Sequence, residues 1–205
     1  MHPARFFALA LAALVSTLST TPVSASRFAG LDGSPGLRSE SAMVISEDGS
    51  VIYEKDESTV RPIASITKLM TAMVIIDSGV DLQEKITVTR DDRDLVQLTG
   101  SRLEYGATLT REQMIMLAVM SSENRAASAL GRTFPGGMDA FVKAMNGKAK
   151  ELGMNDSRFA DPAGLYVENQ STAADLAKMV DAAYDYPLIR KASTTTRMEV
   201  RPYKS

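Results

Sequence analysis

Apolar residues along this chain gather into short runs near its start and longer helical runs through its middle. Ala42–Ile45 and Val51–Tyr53 flank Glu47-Asp48-Gly49, which predicts an antiparallel hairpin. Ile63–Val74 is almost continuously apolar and predicts a helix that enters after Arg61-Pro62 and closes at Ser78-Gly79, with Gly79 as a left-handed cap. Ile86–Thr89 reads as a small strand, and residues 91–106 as polar, irregular chain. Thr110-Arg111-Glu112-Gln113 is a capping box that opens the run Met114–Met120. The pattern breaks at Ser121-Ser122-Glu123-Asn124 and resumes as a helix over Arg125–Leu130, ending at Gly131. Asp139–Leu152 is amphipathic and stops at Gly153. Phe159–Leu165 reads as a loop, Thr172–Asp175 as the start of a helix that ends before Pro187, and Thr196–Val200 as an alternating strand.

Strands, then a helix-rich middle, then the beginning of strands again predict an α+β fold: an antiparallel sheet with a helical cluster, its late sheet strands missing from this chain. Ahead of this domain, residues 41–205, two segments stand apart. Arg5, the apolar run Phe6–Val15 and the small residues Val23-Ser24-Ala25 read as a secretory signal peptide over residues 1–25. That run is too short to span a bilayer, and no later segment is long and apolar enough to do so. Residues 26–40, rich in Gly, Ser and Pro, read as a flexible arm. A periplasmic location is the expectation that follows.

Composition narrows the chemistry more by what it lacks. The chain carries no cysteine, and its one histidine, His2, lies within the signal segment. A Ser-His-Asp triad, a Cys-His pair and zinc sites built from His or Cys are therefore excluded beyond residue 25. Without Arg5 the net charge is about −3, with no basic block that would suggest nucleic acid. A serine hydrolase built from these residues must use lysine or a carboxylate as its base.

One Ser-x-x-Lys occurs, Ser65-Ile66-Thr67-Lys68, at the mouth of the apolar helix. Three residues of helix turn about 300°, which puts hydroxyl and amine on one face. A lysine desolvated by burial loses its proton more readily and can then serve as base to a serine nucleophile. The competing reading makes Ser65 a helix cap and Lys68 a solvated first-turn residue. Ser122-Glu123-Asn124 is the one Ser-x-Asn, at the helix break. Its hydroxyl could relay a proton and its amide could bind a peptide group; alternatively both residues cap the next helix.

Together the two motifs resemble the opening of the penicillin-recognising serine enzymes. Ala64–Thr71 in particular resembles the D-alanyl-D-alanine carboxypeptidase and endopeptidase family, the low-molecular-mass penicillin-binding proteins. Met120–Ala127 is similar to the endopeptidase branch, and Phe159–Leu165 and Ser171–Leu176 also fit. The resemblance covers about residues 41–200. It implies a serine β-lactamase/D,D-peptidase-like fold, with Ser65 as acylated nucleophile, Lys68 as general base, Ser122 as proton shuttle and Asn124 as substrate-binding amide. The Ser65 N–H would form half of an oxyanion hole. Peptidoglycan stem peptides would be substrates and β-lactams covalent inhibitors, with no cofactor and no metal.

The family's third motif, Lys-Thr-Gly or a close variant, does not occur in these 205 residues. The chain is accordingly read as a C-terminally truncated or incomplete member. Two other readings stay open: a catalytically inactive remnant that binds stem peptide weakly or not at all, and a class A-like β-lactamase using Glu168 of Glu168-Asn169 to activate water.

Overall fold

The computed structural model describes residues 36–204. The segment read as a signal peptide and residues 26–35 of the arm lie outside the described residues; residues 36–41 form no helix or strand.

The fold is α+β. The early hairpin forms as expected from β1 (Ala42–Ile45) and β2 (Val51–Lys55), with Gly49 in the left-handed region (φ +81°) where the turn demands it. Its register slips between Val44 and Ile45, which marks a bulge. Among the described residues the strands form three small antiparallel sheets. The hairpin is one; β3 (Arg61–Pro62) pairs with β6 (Gln170–Ser171); β5 (Ala107–Thr110) lies between β4 (Lys85–Thr87) and β7 (Tyr203–Lys204).

The apolar run becomes α1 (Thr67–Asp77), preceded by a single 3-10 turn over Ala64–Ile66. Residues 70–75 of this helix are all buried, so it runs through the core rather than along one side of it. It packs against α2 (Arg111–Ser121), α3 (Asn124–Arg132), α4 (Gly137–Glu151), α5 (Ala173–Tyr184) and α6 (Pro187–Thr194). Met70, Met73 and Ile75 meet Met114, Ile115, Leu130, Phe141, Met145 and Met179 in one apolar cluster. The capping box at the head of α2 is real: Thr110 Oγ1 accepts from Gln113 N–H at 3.2 Å and Gln113 Oε1 from Thr110 N–H at 3.0 Å.

Two sequence expectations change, and further elements form where the sequence assigns none. Helix α3 runs through Gly131 instead of ending there. A Cβ at Gly131 would lie 3.0 Å from Phe141 Cδ1 and 3.1 Å from Pro162 Cγ, so this glycine serves close packing and not termination. Strand β5 forms directly after the stretch that reads as polar, where the sequence assigns no element; Thr108 and Thr110 alternate with the buried Ala107 and Leu109. Helix α6 begins at Pro187, which sits at its first position, where a missing N–H is harmless. Residues 196–200 form no strand; among the described residues nothing pairs with them, and alternation without a neighbouring edge does not make a sheet.

Candidate active site

The turn before α1 sets the geometry. Ala64 has φ +46°, a left-handed conformation that is strained for a residue with a Cβ. The chain then bends into α1 so that Ser65 is exposed while Lys68, one turn later, is only 2% exposed. Lys68 Nζ lies 3.0 Å from Ser65 Oγ and donates to the Ala163 carbonyl at 2.6 Å. Burial pulls the amine down from 10.5 to about 8, with the negative charges of Asp161 and Glu123 opposing the drop. At pH 7 about a tenth of such amines are neutral. The capping alternative does not describe this site: the Ser65 side chain makes no cap bond, and Lys68 is buried.

Ser122 terminates α2 in the left-handed region (φ +56°) and donates its hydroxyl proton to Ser65 Oγ at 2.9 Å. The Ser65 oxygen thus has an amine and a second hydroxyl within hydrogen-bond distance. Glu123 caps α3, its buried carboxylate accepting from Ser101 Oγ at 2.5 Å and from Arg125 N–H at 3.2 Å. Asn124 is the first residue of α3; its Nδ2 donates to Thr99 Oγ1 at 2.8 Å, and its Oδ1 is buried without a partner.

Behind Lys68 stands the loop 159–169, in which the sequence gives a possible role in the site to Glu168 alone. Asp161 organises it. Its Oδ1 accepts from the N–H groups of Ala163 (2.6 Å) and Gly164 (2.7 Å), and its Oδ2 from Leu165 (3.0 Å), Tyr166 (2.8 Å) and the Asn169 amide (2.5 Å). Asn169 Oδ1 in turn accepts from the N–H groups of Ala160 and Asp161. Thr71 Oγ1 donates to Pro162 O at 2.7 Å, pinning the loop to α1. The available signal was Asp161-Pro162-Ala163-Gly164, a short carboxylate followed by a proline and a glycine, which marks a turn whose donors fold back on the carboxylate. Glu168 is exposed on this loop, so it is not a water-activating base buried beside Lys68. Among the described residues no group of three or more carboxylate or imidazole side chains could hold a metal ion.

An exposed serine hydroxyl with a buried amine at 3.0 Å and a second hydroxyl at 2.9 Å is an arrangement that could activate a serine without histidine. The sequence pattern of the D-alanyl-D-alanine carboxypeptidase family matches residues 31–203. The chain is 49% identical over 162 residues to a D-alanyl-D-alanine endopeptidase of Escherichia coli, covering 78% of this chain and 52% of that protein. It is 45% identical over 196 residues to one of Pseudomonas aeruginosa, covering 94% and 63%. A solved Streptomyces DD-transpeptidase superimposes with a TM-score of 0.74 at 26% identity, covering 80% of this chain and 67% of that one. The chain belongs to the D-alanyl-D-alanine carboxypeptidase family and has its penicillin-binding fold. It spans 52% and 63% of the length of these two endopeptidases.

Proposed function

We propose that this chain is a serine D-alanyl-D-alanine peptidase, of the endopeptidase kind, that cleaves peptidoglycan stem peptides through an acyl-enzyme during cell-wall remodelling outside the cytoplasm. The carrying observation is Lys68, buried, shifted to about 8 and 3.0 Å from an exposed serine hydroxyl. In its neutral form the Lys68 lone pair takes the Ser65 proton as Oγ attacks the carbonyl of the D-alanyl bond. The tetrahedral intermediate carries a negative oxygen, which the Ser65 N–H stabilises. Its collapse breaks the C–N bond, and the proton passes from Lys68 through Ser122 to the departing amine. Water then attacks the ester, Lys68 again accepting the proton, and as the C–O bond to Ser65 breaks Lys68 returns that proton to Oγ. Asn124 holds the amide of the acyl donor. The endopeptidase preference is supported by the relatives at 49% and 45% identity, both of them endopeptidases. Export rests on residues 1–25; among the described residues no helix is long and apolar enough to cross a membrane.

Intact-mass measurement after incubation with benzylpenicillin tests the reading. One adduct per chain, located on Ser65 by peptide mapping and absent from Ser65→Ala, is the expected result. A chain that folds and takes no adduct, or keeps it in Ser65→Ala, overturns the assignment.

A further inference from the structure

Asp94 and Thr99, in the stretch that reads as irregular, leave the Asn124 amide a single orientation. Asp94 is buried. Its Oδ1 accepts from the N–H groups of Val96 at 2.9 Å and Gln97 at 2.8 Å. Its Oδ2 accepts from the Thr99 N–H at 2.9 Å and from the Thr99 hydroxyl at 2.6 Å. Burial pushes the pKa of this carboxyl up, but the donors outweigh it and hold the group at about 2, so it is ionised in any physiological medium. An ionised carboxylate only accepts, and the Thr99 hydroxyl therefore commits its one proton to Asp94. Toward Asn124 it can present only a lone pair, 2.8 Å from Nδ2. The amide must answer with its NH₂ end, since its carbonyl end would set lone pair against lone pair. Asn124 Oδ1 is consequently turned away from Thr99, buried and without a donor. Such an orphan is unfavourable until a donor arrives.

We propose that Thr99 and, behind it, Asp94 are positioning residues that fix the flip of the Asn124 amide, leaving its Oδ1 and its second N–H for the amide group of the incoming acyl donor. This rests on the peptidase reading of the site. Neither residue touches the reacting atoms; both act through Asn124. Gln97, whose Nε2 donates to Leu165 O at 3.1 Å, ties the same turn to the loop behind Lys68 and holds the two walls in register.

A double-mutant cycle on the full chain tests this, read as the second-order rate of acylation by a fluorescent penicillin. Thr99→Val keeps the volume and removes the acceptor; Thr99→Ser retains it. Thr99→Val is expected to slow acylation about tenfold, the effect of one lost hydrogen bond, and Thr99→Ser to stay within about twofold. In an Asn124→Ala background Thr99→Val is expected to have no further effect. An equal loss in both backgrounds, or no loss in either, makes Thr99 merely a loop residue and overturns the proposal. A second reading needs no activity: the Asn124 side-chain NH₂ protons, followed by ¹⁵N NMR, exchange slowly in the native chain and faster in Thr99→Val. Unchanged exchange overturns the proposal even in a chain inert to penicillin. Protection that is lost in Thr99→Val in a chain that takes no penicillin supports the fixed amide and overturns the peptidase reading alone.

Discussion

Gly164 fits against Ala64 with no room for a side chain: a Cβ at Gly164 would lie 1.9 Å from the Ala64 carbonyl oxygen. The two residues are a hundred positions apart, yet they form one joint. Ala64 is the strained residue that swings Ser65 outward, and Gly164, at φ +79°, follows the carbonyl that Lys68 uses as acceptor. Gly164→Ala is therefore expected to force the loop off α1. Stability should fall by about 2 kcal/mol or more, as for other strained backbone positions. Urea midpoints check the first effect, and a fall in penicillin acylation of at least tenfold checks the second. An unaltered acylation rate would show that the joint does not position the site.

The buried amine makes acylation depend on pH in a defined direction. Only neutral Lys68 accepts the Ser65 proton, so the acylation rate should rise through pH 6–8 and level off above about 8. Stability is linked to the same group. Its folded value of about 8 lies below the ordinary 10.5. Between these the unfolded chain holds the extra proton, and folding gains stability as pH rises from about 8 to 10.5. Thermal melts of the native chain and Lys68→Met should therefore converge or diverge over that interval in favour of the native chain. A pH-independent difference would mean that Lys68 titrates normally.

Asp161 has two separable duties. Its carboxylate collects the loop N–H groups, and its charge raises the Lys68 value against the effect of burial. Asp161→Ala should cost about 3 kcal/mol by leaving several buried donors unpaired. Asp161→Asn should retain more of the fold while moving the midpoint of the acylation pH profile downward. A profile that stays in place would separate Asp161 from the electrostatics of the base.

Ser122 holds a left-handed conformation that glycine adopts without strain. Ser122→Gly should leave thermal stability unchanged within about 1 kcal/mol, since relief of strain offsets added freedom in the unfolded chain. Penicillin acylation should fall about 10²-fold with the relay hydroxyl gone. Native-like acylation in Ser122→Gly would remove Ser122 from the proton path.

Local chemistry explains what could be read early. The hairpin around Gly49, the capping box at Thr110 and Gln113, and the stop at Gly153 depend on residues within a few positions of one another, and such preferences survive in any context. Gly131 was misjudged and β5 left unassigned for the converse reason. Packing against Phe141 and Pro162 keeps the glycine in a helix, and pairing with β4 makes residues 107–110 a strand. Neither partner is a sequence neighbour.

The site divides along the same line. By itself the sequence determined that residues 3–205 offer neither histidine nor cysteine, and that Ser65 and Lys68 share one face, because three residues of helix bring them together. Tertiary structure decided that the amine is buried and lowered to about 8, that Ser122 reaches Ser65 across 57 positions, and that Ala163, Asp161 and Thr99 belong to the site. Desolvation and charge depend on everything that surrounds a group in space, and only the folded chain assembles those surroundings.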